Sequence, residues 1–346
     1  GKAYKRVIEL EEKDSSFLNN LGNLYQDHLE KYNEAEAAYR KAIELNEKDA
    51  YPWNGLGNLY QYHLKKFIDA EIAYKKAISV DSKFAQPWNE LGNLYQYRLE
   101  KYSEAESAYK KAIKLNETDA STWGNLGYLY HYFLGKIDEA ESVYKRAIEL
   151  NERDASNWVS LGNLYQDSLG KYLEAEFAIK RAIAIDGEDA SYWNCLGHLY
   201  HMHLGKYQDA EMCYKKSIEL ESTESYPKYN LVSLWRDNMN QIEKAKQLFD
   251  QITLPEVISG SHLLYKSIFA FYDKNVGVAE TLLREAFVEI GEKFPHDTQL
   301  DWYRSAAIII KLGYGTNLLN VLSANDYNIT MRPFYVAIEG LRNKED

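Results

Sequence analysis

Apolar and small residues return along this chain in two alternating stripes. In one, Trp53, Leu56, Gly57 and Tyr60 stand at i, i+3, i+4 and i+7, the face of an amphipathic helix. In the other, Ala70, Ala73, Tyr74, Ala77 and Ile78 mark the face of a second helix. Between them lies a polar stretch at 63–67, and its later counterparts carry Gly135, Gly170 or Gly205, residues that readily end a helix. The pattern predicts a helix-turn-helix hairpin, and the hairpin recurs. Leu21-Gly22, Leu56-Gly57, Leu91-Gly92, Leu126-Gly127, Leu161-Gly162 and Leu196-Gly197 follow one another at 35-residue intervals, and Leu231 keeps the frame with Val232 in place of glycine. Tryptophan keeps the same step from Trp53 to Trp193, and alanine from Ala35 to Ala245.

Glycine inside a helix costs about 1 kcal/mol relative to alanine. Its regular return therefore predicts close helix contact, with each hairpin burying its faces against the next. The fold expected is all-α: a right-handed superhelical solenoid of helix-turn-helix repeats. Residues 15–254 hold seven repeats, the seventh degenerate; residues 1–14 are the second helix of a partial repeat, and residues 255–346 form a degenerate helical C-terminal cap.

The succession Trp, Leu-Gly, Tyr, Gly-x-Tyr, Ala, aromatic, Ala resembles the tetratricopeptide repeat (TPR) family over roughly residues 15–254. The resemblance implies a superhelical array that binds protein segments in its concavity. Two departures stand out. The family's usual period is one residue shorter, the extra residue falling before the Gly170-Lys171-Tyr172 turn, which is expected to alter superhelical pitch. The proline common at the end of the second helix is missing, with Asn46, Asp81 and Asn116 as the boundary instead.

Ala3 to Ile8 aligns with Ala73 to Ile78, so the sequence is expected to begin inside a second helix, as a fragment. Beyond residue 254 the period fades at Pro255 and Gly260. Helical spacing returns in Leu263, Ser267 and Ala270, then Ala279, Leu283 and Ala286, a divergent hairpin near 260–292. A further pair is expected near 297–323, and a last helix from about Thr330 with Pro333 in its first turn. Around Arg332-Pro333-Phe334-Tyr335 the tail is similar to segments that follow such arrays in large bacterial multidomain ATPases. That likeness implies an alternative, a partner-sensing region of a signalling or antiviral-defence ATPase, with other domains of its own full-length chain as partners.

Composition narrows the chemistry. The net charge of -11 and the lack of a long basic run argue against nucleic acid as partner. No apolar stretch approaches the roughly 18–20 residues of a membrane span. Two cysteines are too few for a disulfide framework and suit a reducing compartment, so a cytoplasmic location is expected. No phosphate-cradling loop, nucleophile elbow or paired-cysteine metal signature occurs, and the chain is expected to be neither an enzyme nor the holder of a cofactor. His198 and His201 lie one turn apart with His203 beyond, but the next candidate ligand, His131, is two repeats away, so no metal is expected. Cys195 and Cys213 are expected as small buried hydrophobes.

The other stripe of the first helix carries the candidate site. It reads Asn19, Asn23, Gln26, Asp27; then Asn54, Asn58, Gln61, Tyr62; then Asn89, Asn93, Gln96, Tyr97. It changes to Gly124, Tyr128, His131, Tyr132; then Val159, Asn163, Gln166, Asp167; then Asn194, His198, His201, Met202. In a stacked array this stripe is expected to line the concave face. An amide both donates and accepts, so a ladder of amides suits the backbone of an extended protein or peptide partner, with Asn58, Asn93 and Asn163 as its rungs. Tyr62, Tyr97, Tyr128 and His131 offer side-chain contacts of the kind that dominate interfaces. Asparagine at the place of Asn58 is common in ordinary repeats of that family, so a merely solvated groove is the second reading. Basic residues able to clamp a C-terminal carboxylate are missing from the stripe before Arg236.

Overall fold

The computed structural model describes residues 14–252 and 260–290, with 308, 309, 312–314 and 317. Residues 1–13 of the expected partial repeat, the helix expected from Thr330 and the Arg332–Tyr335 stretch lie outside them. The chain divides into two compact units, residues 1–220 and 221–346. All regular structure among the described residues is helical.

The first unit is a solenoid of six hairpins. They are α1 (Ser15–Asp27) with α2 (Tyr32–Leu45), α3 (Ala50–Asn58) with α4 (Phe67–Val80), and α5 (Gln86–Tyr97) with α6 (Tyr102–Leu115). The others are α7 (Ala120–Leu129) with α8 (Ile137–Leu150), α9 (Ala155–Asp167) with α10 (Tyr172–Ile185), and α11 (Ala190–Leu199) with α12 (Tyr207–Leu220). Each helix packs on its hairpin partner and each hairpin on the next.

Local chemistry fixes where these helices start and stop. Asp14, Asp49, Asp119, Asp154 and Asp189 each accept from a backbone amide of the first turn, satisfying a donor that the helix leaves orphaned. At α5, Pro87 in the first turn takes over. The second helices end where Asn46, Asp81, Asn116 and Asn151 turn the chain into extended geometry, their side chains accepting from the amides of Lys48, Lys83, Thr118 and Arg153.

Between the two helices of a hairpin, the amides of Lys31, Lys66, Lys101, Lys136, Lys171 and Lys206 each donate to the carbonyl of a tyrosine six residues back, at 2.8–3.0 Å. The residue before each lysine is left-handed, with φ between 51° and 63° at Glu30, Lys65, Glu100, Gly135, Gly170 and Gly205. In the second, fourth and sixth repeats the first helix widens before this turn into a π segment, Leu59–His63, Tyr130–Leu134 and Tyr200–Leu204.

The hairpin core is a tyrosine laid on a glycine. Tyr39, Tyr74, Tyr109, Tyr144 and Tyr214 are fully buried, and each ring covers the mid-helix glycine of its partner helix. In the fifth repeat Ile179 covers Gly162.

Neighbouring hairpins are joined by a recurring clamp. Tyr60, Tyr95, Tyr130, Tyr165 and Tyr200 donate their hydroxyls to Glu36, Glu71, Glu106, Glu141 and Glu176 of the preceding repeat, at 2.8–3.1 Å. Each glutamate also meets two cations. Glu106 pairs with Lys110 of its own helix at 2.6 Å and with Lys136 of the next repeat at 2.8 Å, and the Lys136 ammonium lies 5.1 Å from the Tyr130 ring centroid. Burial works against ionisation of Glu106 and Glu176, but hydrogen bonds from the two lysines and the tyrosine outweigh it and hold both carboxyls down at about 2.

The second unit contains α13 (Tyr226–Asp237), α14 (Ile242–Phe249), α15 (Gly260–Tyr272) and α16 (Val276–Ile290). α15 and α16 form the divergent hairpin expected near 260–292, closed around Leu263, Leu264, Ile268, Phe271, Ala279, Leu283 and Ala286. Arg236 is buried against Asp237 and lies 4.7 Å from the Tyr265 ring centroid, so its charge is engaged inside the unit.

Candidate functional site

The amide stripe lies along the first helices, and its side chains have partners within the hairpin. Asn23, Asn58 and Asn93 turn their Oδ1 atoms to the hydroxyls of Tyr39, Tyr74 and Tyr109, at 2.7, 2.8 and 2.8 Å. Gln61 and Gln96 are buried, with Oε1 3.0 and 2.8 Å from the same hydroxyls of Tyr74 and Tyr109. A phenol has one hydrogen, so each tyrosine serves two amides by exchange. At Asn58 and Asn93 the acceptor end of the amide holds the core tyrosine, and Gln61 and Gln96 lie beneath the surface. Replacing those asparagines alters the hairpin core as well as its wall.

The remaining members divide between interior and surface. Asn54 is buried, while Asn89 is half-buried and accepts from Asn125 Nδ2 of the next repeat at 3.1 Å. Asn163 is half-buried in the repeat where Ile179 replaces the tyrosine. Gln166 is buried, donating from Nε2 to Asp167 at 2.9 Å, and that nitrogen is 3.0 Å from Nδ1 of the half-buried His198. His201 is buried beside Tyr214, its Nδ1 3.4 Å from the hydroxyl, and His203 stacks on Tyr172. Among the described residues, no group of three His, Cys, Asp or Glu side chains is placed to hold a metal ion.

The tyrosines face outward. Tyr62, Tyr97 and Tyr132 are 47%, 48% and 45% exposed, unlike the buried tyrosines of the core. Tyr97, Tyr128 and Tyr132 adjoin across two hairpins, with centroids 6.0 Å and 4.5 Å apart, and His131 packs on Tyr132 at 4.0 Å. Tyr62 donates to Glu90 Oε2 of the next repeat at 2.8 Å, and Asn93 Nδ2 donates to the same oxygen at 3.3 Å. Sequence reasoning passes over Glu90 because its place is held in other repeats by Asn20, Gly55, Asn125, Ser160 and Cys195, without a shared chemistry.

His131 is buried, with Nε2 3.1 Å from Ser168 Oγ, and burial pushes its pKa down to about 4. An unfolded histidine takes up its proton as pH falls through about 6.5, whereas the folded one stays neutral until about 4. Between those values acid favours the unfolded chain, so stability is lost as pH drops through that window. The Glu106 and Glu176 clamps act lower: their contribution is complete above the ordinary carboxylate range and disappears toward about 2. Urea midpoints are therefore expected to fall between pH 7 and pH 4.5. His131→Gln, the residue present at this place in α1, α5 and α9, is expected to recover about 1–2 kcal/mol of that loss. An equally steep fall in the variant would refute this account of His131.

Among the described residues, no helix is long and apolar enough to cross a membrane. Models of the tetratricopeptide repeat match residues 83–153 and, separately, residues 15–49, 155–189 and 190–224. No functionally curated protein matches the chain. Three solved structures illustrate the likeness of fold. PilF of Pseudomonas aeruginosa is 19% identical with a TM-score of 0.54, covering 63% of this chain and 96% of its own. PilW, a type IV pilus biogenesis factor, is 19% identical with a TM-score of 0.55, covering 62% and 96%. Cut9, in the APC/C hetero-tetramer Cut9-Hcn1, is 17% identical with a TM-score of 0.53, covering 79% and 52%.

Proposed function

We propose that this chain, a tetratricopeptide-repeat protein by its residues 15–49, 83–153, 155–189 and 190–224, is a non-catalytic recognition scaffold that binds an extended segment of a partner protein along its first helices. Tetratricopeptide repeats mediate protein-protein interactions in general; the finer reading concerns which surface does so here. The carrying observation is the cluster Tyr97, Tyr128 and Tyr132, three adjoining rings from two hairpins, two of them nearly half exposed. Aromatic area left in water is unfavourable for an isolated chain and useful for one that covers it with a partner. Tyrosine also loses little conformational freedom on contact and keeps a polar tip.

In this reading the rings and Tyr62 provide contact area, and half-buried Asn58, Asn89, Asn93 and Asn163 offer their remaining polar atoms, with half-buried His198 at the end of the row. The buried Gln61, Gln96, Gln166, His131 and His201 set the shape and polarity of the floor. Selection of a random peptide library on the wild-type chain, with counter-selection on a Tyr97→Ala/Tyr132→Ala chain, tests it. The expected peptides lose at least about tenfold in affinity for the double variant, in line with the loss of interface anchors, while its helicity is unchanged. Peptides that bind both chains equally, or none at all, would overturn the proposal.

A further inference from the structure

Among the described residues, Glu90 is a carboxylate without a cation. Every clamp glutamate from Glu36 to Glu176 meets one lysine or arginine of its own helix and one lysine of the next repeat. Glu90 is half-buried and, among the described residues, takes part in no ion pair; both of its hydrogen bonds, from Tyr62 and Asn93, fall on Oε2. Arg98 lies instead over the Phe67 ring, 5.6 Å from its centroid. Burial raises the carboxyl's pKa, as expected for a charge short of compensation.

A second observation comes from the neighbouring repeat. Asn54 is 6% exposed, and its Oδ1 is buried with no hydrogen-bond partner. One repeat further on, Asn89 stands at the place of Asn54 and Asn125 at the place of Glu90, and those two amides meet at 3.1 Å. The repeat therefore brings Asn54 to the neighbourhood of Glu90, where a glutamate stands in place of the amide donor. The amide-to-amide bond of the next pair of repeats thus has no counterpart here: Asn54 Oδ1 has no donor, and Glu90, whose Oε2 is held by Tyr62 and Asn93, has no cation among the described residues. A buried acceptor left without a donor costs about 1–3 kcal/mol, and a donor that also carries positive charge answers both groups.

We propose that Asn54, Glu90 and Tyr62 form a subsite for an arginine side chain of the bound partner segment. This deepens the recognition reading above and rests on it. A guanidinium presents several N–H donors in one plane, enough to reach an amide oxygen and a carboxylate together, and its flat face stacks on tyrosine. Lysine, a point charge on a flexible stem, matches the pair of acceptors less well. The net charge of -11 favours a basic partner in the same sense.

The test uses the whole chain and a capped heptapeptide of glycine and alanine with one central arginine. Its counterparts carry citrulline, the uncharged isostere, or lysine, and dissociation constants come from saturation-transfer NMR titrations. The arginine peptide is expected to bind at least about tenfold more tightly than the citrulline peptide, the scale of a charge-assisted hydrogen bond. Glu90→Gln is expected to erase that preference while leaving the melting temperature in place. Equal binding of arginine and citrulline, an unaffected preference in Glu90→Gln, or lysine binding as tightly as arginine would each overturn the subsite. If that happens while library peptides still depend on Tyr97 and Tyr132, the recognition surface stands without it; if the library peptides also ignore those tyrosines, the underlying reading has failed.

Discussion

Gly57→Ala is expected to destabilise the chain by about 2 kcal/mol, although alanine is the better helix former by about 1 kcal/mol. A Cβ at this position would lie 2.4 Å from Tyr74 Cε1 and 2.6 Å from Cδ1. Contact that short must be relieved by moving something. The backbone of α3 is packed on both sides, and the Tyr74 ring is fully buried with its hydroxyl held by Asn58 and Gln61. Withdrawal of the ring strains the core, at about 1–3 kcal/mol for overpacking, and draws the hydroxyl off its acceptors, at about 1 kcal/mol more. Gly277→Ala in α16 is the control, because a Cβ there meets nothing within 4 Å, and a small gain of about 0.5 kcal/mol is expected. Urea denaturation followed by circular dichroism compares the two. A Gly57→Ala chain as stable as its parent would show that the tyrosine-on-glycine contact is looser than its geometry.

The turn between helices yields the second large effect. Gly170→Val is expected to cost about 2 kcal/mol, because Gly170 sits at φ 63°, where a β-branched residue is strained. Nothing lies within 4 Å of a Cβ built on it, so the loss comes from the backbone and not from collision. The same place in the third repeat offers the reverse experiment. Glu100 holds φ 54°, and Glu100→Gly removes that strain at the expense of extra freedom in the unfolded chain, for a net gain of about 0.5 kcal/mol. Melting temperatures of the paired variants measure both signs, and a Gly170→Val chain that melts with its parent would contradict the strain argument.

How far the molecule is legible in its sequence follows from what kind of force sets each feature. Hairpins are readable because burial imposes a helical period, and Trp53, Leu56, Gly57 and Tyr60 repeat it without a slip. The helix boundaries at Asn46 and Asp81 are readable because capping is local, decided within two or three residues. The clamp is less so. Glu106 and Lys110 look like an ordinary surface pair one helical turn apart, and only the three-dimensional stack brings Tyr130 and Lys136 of the next repeat to the same carboxylate. Spacing puts the amide stripe on the first helices, yet the direction in which each amide turns depends on a rotamer. No periodicity tells that Asn58 reaches for Tyr74 sixteen residues away, or that Gln61 is drawn under the surface. Glu90 escapes for a different reason: its significance is a departure from its neighbours, and a method that looks for sameness discards it.

The π segments at Leu59–His63, Tyr130–Leu134 and Tyr200–Leu204 fall in every second repeat, so the smallest interchangeable module of the first unit is a pair of hairpins. Excising one hairpin from the middle would abut two ends of the same kind, whereas excising two restores the original alternation. Shortened or lengthened arrays made by recombination are therefore expected to tolerate even changes in hairpin number better than odd ones.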